Sequence, residues 1–267
     1  MMLKANGAVA AAVTHPPIVF IRGLLLDRRF WRGFPDRFEG WQTHAPDMPG
    51  AGLGDVERFP MRMDRLLAPF RAECKSATGA DRFLLVGHSL GGMLALEWLG
   101  RHPEEVLGVA TLNSSSGHWL RGPFGRLNQV NALRLLPQIL RRKKDAAKFV
   151  MLLTNHPEEA EAEANRAEWQ DLLDAGCGGL GLMVRQFISV MNWRPRIAPP
   201  YDSRVLLTVG SADGFTPNSG SHRLQKQLPG ASMFTLPGGH ELFADHGPEL
   251  ATAIELHFEA LLTREEE

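Results

Sequence analysis

Short, unbroken apolar runs recur along the 267-residue chain, each closed by glycine, proline or polar residues. Pro17-Ile18-Val19-Phe20-Ile21, Phe83-Leu84-Leu85-Val86, Val106 to Leu112 and Arg204 to Val209 are the clearest. Such runs suit strands buried on both faces. Trp41 to Pro46 and Ser232 to Leu236 read as two more strands. Between the runs the spacing changes. Met63, Leu66, Leu67, Phe70 and Cys74 stand three and four apart, as on one side of a helix, and Met93 to Leu99 is a second helix-forming run. Helices are also expected near Ser221–Gln227 and from Pro248 to Leu262, followed by a solvated tail, Arg264 to Glu267.

Buried-type strands alternating with helices predict an α/β fold, a mostly parallel sheet with helices on both faces. Residues 117–195 break the rhythm, because no strand-like run interrupts them. Pro137 and Pro157 sit where helices would begin and Gly176 where one could end. Leu180, Met183, Val184, Phe187, Ile188 and Met191 form an apolar stripe at helical spacing. The expected organisation is therefore a core of residues 1–116 and 196–267 with a helical lid, 117–195, over the carboxyl edge of the sheet.

Composition narrows the function classes. A net charge of -1, with 44% hydrophobic and 22% charged residues, describes an ordinary globular chain and offers no global attraction to nucleic acid or membrane. Cys74 and Cys177 have neither metal-ligand spacing nor a disulfide framework, which favours a reducing compartment. Met1 to Val13 faintly resembles a signal peptide, but Asn6-Gly7 interrupts its short Ala-rich stretch. A cytoplasmic protein is expected.

The chemistry centres on Gly87-His88-Ser89-Leu90-Gly91, set between an apolar strand and a helix-forming run. Strand, G-x-S-x-G and helix in that order form a nucleophile elbow. Gly87 and Gly91 remove the Cβ atoms that would collide with strand and helix, and the turn lifts the Ser89 hydroxyl off the sheet. A bare G-x-S-x-G is weak evidence, and a Gly-rich packing turn is its bland counterpart.

A serine hydroxyl needs a base, and the base needs an orienting acid. The strand ending at Val209 runs into Gly210-Ser211-Ala212-Asp213, and the strand ending at Leu236 runs into Pro237-Gly238-Gly239-His240. Both candidates thus follow a strand's carboxyl end, in the order Ser89, Asp213, His240. Other residues fit less well. His88 adjoins the serine on the turn, His102 lies at the far end of the elbow helix, and Asp202 precedes a strand. Asp245 and His246 belong near the start of the last helix.

These segments, with Phe20-Ile21-Arg22-Gly23-Leu24 and Asp47-Met48-Pro49-Gly50-Ala51-Gly52, make the chain resemble the α/β-hydrolase superfamily over nearly its full length. The resemblance implies an oxyanion hole made by the backbone N–H groups of Leu24 and Leu90, and no metal or organic cofactor. Arg22-Gly23 stands where the family usually has His-Gly. This departure could put a guanidinium near the pocket wall, or it could be a surface substitution without effect. The short segment before Pro17 suggests that the family's antiparallel first strands are reduced.

Charge in the lid bears on substrate. Arg121, Arg126, Arg134, Arg141, Arg142, Lys143, Lys144 and Lys148 face one acid, Asp145. The next helix is acidic, with Glu158, Glu159, Glu161, Glu163, Glu168, Asp171 and Asp174. Two solvated helices that attract each other account for this pattern. The sharper alternative is a basic surface that docks an acidic carrier protein or an anionic substrate tail, similar to the arrangement implied for the carrier-protein methyl ester esterases of this superfamily. Leu133, Leu135, Leu136, Trp169, Leu172, Phe187, Met191 and Trp193 suit either an acyl pocket or plain packing. The leading expectation is a serine hydrolase of small to medium carboxylic esters. A C–C bond hydrolase or lyase acting on ketones, and a non-catalytic binding protein, are the alternatives.

Overall fold

The structure is a computed structural model that describes residues 15–51, 55, 58–116, 134, 137, 153–154, 159–190 and 193–266, with backbone alone over 159–165 and at 266. Its frame is a six-stranded sheet. The strands are β1 (Ile18–Ile21), β2 (Thr43–His44), β3 (Phe83–His88), β4 (Val106–Leu112), β5 (Val205–Gly210) and β6 (Ser232–Leu236). They lie in the order β2-β1-β3-β4-β5-β6, and every neighbouring pair is parallel. Chain order reverses between β1 and β3, so the loops after those two strands face each other across the sheet's carboxyl edge. Ligands in open α/β sheets bind at such a switch point.

Two apolar layers close on the sheet because successive side chains point to opposite faces. On one face Val19, Ile21, Leu85, Val109, Val205 and Leu207 pack against α1 (Met63–Thr78) and α2 (Leu90–Arg101). On the other, Ile18, Phe20, Leu84, Val86, Ala110 and Leu112 meet Trp31, Phe34 and the long helix at the chain's end. All five residues of the stripe read in α1 (Met63, Leu66, Leu67, Phe70 and Cys74) are buried.

Several expectations change. The expected tail is helix: the final element runs Gly247–Glu266, and Glu265 pairs with Arg82 at 2.5 Å and Arg204 at 3.4 Å. The second strand shrinks to Thr43–His44. Between β4 and β5 the described helices are α3 (Glu159–Asp174) and α4 (Leu180–Val190), and Gly176 follows α3 with φ 106°. The apolar stripe read in α4 is split: Leu180, Val184 and Ile188 are exposed, Met183 packs against the core, and Leu182, Gln186, Ser189 and Val190 form the buried side. Periodicity locates an apolar side, but the neighbouring loop decides which side turns inward. Three further helices are α5 (Asn218–Gln227), the short α6 (Leu242–Asp245) and α7 (Gly247–Glu266). Among the described residues no helix is long and apolar enough to cross a membrane.

Trp169 is fully buried against Phe30, ring centroids 5.3 Å apart, in a small cluster with Leu26, Leu173 and Phe215. The Trp193 indole donates to Glu97 on α2 at 2.8 Å. Both tryptophans therefore pack the α3–α4 segment onto the sheet domain. Glu168, an acid of α3, pairs with Arg32 in the sheet domain. The basic run lies outside the described residues except for Arg134, which is exposed, as do Leu133, Leu135, Leu136 and Met191.

Candidate active site

Ser89 sits between β3 and α2 with φ 54° and ψ −111°, a backbone state that side chains with a Cβ rarely adopt. Its N–H donates to Leu112 O at 2.8 Å, and its carbonyl accepts from the Ser114 hydroxyl at 2.5 Å. The end of β4 and the loop just after it thus hold the turn at both ends of the residue. Glycine is required beside it. A Cβ on Gly91 would lie 2.0 Å from Ile21 O, and one on Gly87 would lie 2.5 Å from Gly91 O.

Asp213 and His240 converge from the adjacent strand ends. The His240 ring Nδ1 lies 2.8 Å from Asp213 Oδ2, and both side chains are buried. The other carboxylate oxygen accepts from the Phe215 and Thr216 N–H groups, each at 2.8 Å. With the carboxylate so fixed, Nδ1 carries the proton and Nε2 keeps its lone pair. Burial disfavours the imidazolium, but the Asp213 charge and its hydrogen bond outweigh it. His240 is raised above the ordinary imidazole pKa.

Leu90 opens α2, so its N–H has no acceptor within the helix. Leu24 follows Gly23, whose added Cβ would stand 3.2 Å from Ser89 Cβ, so the loop after β1 runs against the serine. Leu25, with φ 67°, donates its N–H to Gln186 Oε1 at 2.9 Å. The sequence-predicted residues Ser89, Leu90, Leu24, Gly87 and Gly91 thus gather at one point of the carboxyl edge. Asp213 and His240 pair at the same edge.

Sequence reasoning misplaced Arg22 and missed its partners. Arg22 is neither on the pocket wall nor on the surface: it is 2% exposed, behind the elbow. Its Nη2 reaches both Glu241 oxygens, at 3.0 and 2.9 Å, and its Nη1 reaches His88 Nδ1 at 2.9 Å. Trp31 and Phe243 flank the guanidinium, 5.1 and 5.0 Å from their ring centroids. A guanidinium only donates, so His88 Nδ1 must accept and His88 Nε2–H must donate, to His240 O at 2.9 Å. Burial, the Arg22 charge and His240 push His88 well below the usual imidazole range. His88 therefore stays neutral and holds the main chain of His240.

Asn113, just past the end of β4, is a second clamp on the same loop. Its Nδ2 donates to Gly239 O at 2.7 Å and His240 O at 2.8 Å, and its Oδ1 accepts from Gly210 N at 2.6 Å. Its φ of 49° is one that Asn tolerates better than most residues. Asp245, set aside as a partner for the serine, accepts from Gly239 N at 2.5 Å. Asp202 accepts from Gly230 N at 2.8 Å, and His102 lies against Arg71 at 2.8 Å. The signal for the first clamp lay in the sequence as an arginine before Gly23 and a glutamate after His240, without periodicity or spacing to join them.

Comparison with known proteins agrees with this architecture. A family model described as alpha/beta hydrolase fold matches residues 16–247. The chain is 27% identical to a pimeloyl-[acyl-carrier protein] methyl ester esterase of Chromobacterium violaceum, over 81% of this chain and 84% of that one. It is 26% identical to a pyrethroid hydrolase of Sphingobium wenxiniae, over 80% and 77%. Shorter matches cover 36% of the length of a 2-succinyl-6-hydroxy-2,4-cyclohexadiene-1-carboxylate synthase of Serratia proteamaculans, at 30% identity, and 20% of a biotin biosynthesis bifunctional protein of Cellvibrio japonicus, at 31%. Among solved structures, a bromoperoxidase from Bacillus anthracis superposes with a TM-score of 0.74 at 17% identity, covering 92% of each chain, a likeness of fold alone. With a parallel sheet in this order, a serine at the strained turn after β3 and a model match over residues 16–247, the chain belongs to the alpha/beta hydrolase fold family.

Proposed function

We propose that the protein is a serine hydrolase of carboxylic esters with small to medium acyl groups. The observation that carries this reading is the 2.8 Å bond from His240 Nδ1 to Asp213, at the same sheet edge as the strained Ser89. In the proposed reaction Ser89 Oγ attacks the ester carbonyl and its proton passes to His240 Nε2. Asp213 holds the tautomer and stabilises the imidazolium. The N–H groups of Leu24 and Leu90 receive the tetrahedral oxyanion. Collapse expels the alcohol, protonated by His240, and leaves an acyl group on Ser89. Water, deprotonated by the same imidazole, then releases the carboxylate and restores the serine. None of these steps calls for a metal or organic cofactor.

The lid role of residues 117–195, over a core of 1–116 and 196–267, belongs to the same proposal. Its support is that α3 and α4 join β4 to β5 and that α4 reaches the loop after β1. For the finer substrate we propose a carrier-bound ester that docks on the basic run between Arg121 and Lys148. The composition of that run and the likeness to a carrier-protein methyl ester esterase support it. A C–C bond hydrolase or lyase acting on ketones is the second reading; the short match to a protein named a carboxylate synthase shows that the likeness is not confined to ester hydrolases.

One experiment tests the serine-esterase and carrier-docking readings. The wild type and Ser89→Ala are labelled with a fluorophosphonate and assayed on p-nitrophenyl esters, lactones, thioesters and carrier-bound methyl esters, with and without salt. Labelling and ester turnover, both lost in Ser89→Ala, are expected. Labelling that persists in Ser89→Ala overturns the serine as nucleophile. Equal rates on free and carrier-bound esters, unchanged by Arg141→Glu with Lys144→Glu, overturn carrier docking.

A further inference from the structure

We propose that Gln186, on α4, is a positioning residue that sets the loop carrying the Leu24 oxyanion donor. The inference rests on the acyl-transfer reading of Ser89. Gln186 is fully buried, on the α4 face that also turns Leu182, Ser189 and Val190 inward. Its Oε1 accepts from Leu25 N at 2.9 Å. The amide orientation follows from chemistry, since an N–H needs an oxygen opposite it.

Both main-chain polar groups of Leu25 are held by the same segment. Gln186 takes the N–H, and Gly178 N, just before α4, donates to Leu25 O at 2.9 Å. Leu25 is kept at φ 67°, where a leucine does not rest unaided. The peptide plane between Leu24 and Leu25 is therefore fixed from α4, while Gly23 fixes the preceding plane against Ser89. The Leu24 N–H lies in the Gly23–Leu24 plane, which is hinged at the Leu24 Cα to the plane that α4 fixes, so its direction depends on both anchors. A leucine would fill the same space at less cost, because Gln186 Nε2 is buried without a hydrogen-bond partner among the described residues. The amide is retained for the acceptor it offers Leu25.

Oxyanion donors act only when they point at the charge that develops in the transition state. A loosened loop therefore lowers kcat and leaves ground-state binding alone. The test compares Gln186→Leu, which lacks the acceptor, with Gln186→Glu, which keeps an oxygen at the same reach. Both are assayed on the p-nitrophenyl ester the wild type hydrolyses. Gln186→Leu is expected to lose roughly 10- to 100-fold in kcat with KM within about twofold, less than outright removal of one donor. Gln186→Glu is expected to recover about tenfold of that loss. Equal losses in the two variants, a change in KM alone, or an unchanged kcat in Gln186→Leu overturns the proposal. Hydrogen exchange at the Leu25 amide of the unmodified protein gives a readout independent of activity and of variant folding. Slow exchange is expected, and exchange at the rate of an open loop overturns the bracket. Turnover that survives Ser89→Ala in the same assay defeats the acyl-transfer reading instead, which keeps the two failures apart.

Discussion

Arg22 and Glu241, separated by 219 positions in sequence, form an ion pair whose side chains are 2% and 1% exposed, with Nη2 against both carboxylate oxygens. The pair ties the residue after β1 to the residue after His240, so it links the loop after β1 to the loop that carries His240. His88 completes the link, accepting from Arg22 and donating to His240 O.

Breaking that pair from one side is expected to be severe. Arg22→Leu leaves the Glu241 carboxylate buried with no counter-charge, a loss of about 3–5 kcal/mol. Arg22→Leu with Glu241→Leu is expected to regain most of that stability, because the uncompensated charge is gone. Urea denaturation of the three proteins measures both. The double variant, although folded, is expected to hydrolyse esters more slowly than the wild type, since the His240 loop has lost a tie. Double-variant stability no better than that of Arg22→Leu would show that the pair is not the source of the loss.

Asp213→Asn isolates the tautomer. The amide carbonyl can still accept from the Phe215 and Thr216 N–H groups, so the loop is expected to stay folded. An amide N–H₂ facing Nδ1 drives the imidazole proton to Nε2, where it blocks the attack. A fall in kcat of about 10⁴ is expected, with an unchanged melting temperature.

In the proposed mechanism His240 also sets the acid limit. Only the neutral imidazole can take the serine's proton, and Asp213 holds this group above its ordinary value despite burial. The acid limb of kcat/KM is therefore expected to bend at a pH above about 6.5. Stability runs the other way. A raised folded-state pKa contributes stability that is whole below the unfolded value and disappears as pH rises through the folded one. A rate profile with its acid inflection below 6.5 contradicts the assignment.

Asn113 offers a test of geometry against strain. Asn113→Ala removes three hydrogen bonds and keeps a Cβ at φ 49°, and Asn113→Gly removes the same bonds but relaxes the backbone. Both are expected to lose stability, about 1–3 kcal/mol for each group left unsatisfied. Gly is expected to be milder by about 1 kcal/mol. Thermal melts rank them, and Ala equal to Gly would remove strain from the explanation.

Local rules were enough for the frame. Continuous apolar runs gave β1, β3, β4 and β5, and the three-and-four spacing in α1 named its five buried residues. The elbow is legible for the same reason: Gly87, Ser89 and Gly91 are constrained by atoms a few residues away. Asp213 and His240 could be placed at strand ends because a parallel sheet brings all such ends to one edge.

The facing of α4 and the fate of Arg22 were not legible. An amphipathic pattern leaves open which neighbour a helix meets, and three residues of the α4 stripe, Leu180, Val184 and Ile188, are exposed. The inward side is set by Leu25 N–H, which reaches Gln186 across 161 positions. The Asn113 clamp spans 126 positions and the Arg22 pair 219. Bonds of that range depend on how the sheet twists and how its loops settle, and no spacing in the chain encodes them. By itself the sequence determined the sheet, the elbow and the order Ser89, Asp213, His240. Tertiary structure alone decided what holds them: Arg22, His88, Asn113 and Glu241 around His240, and Gln186, on α4, against the loop beside the serine.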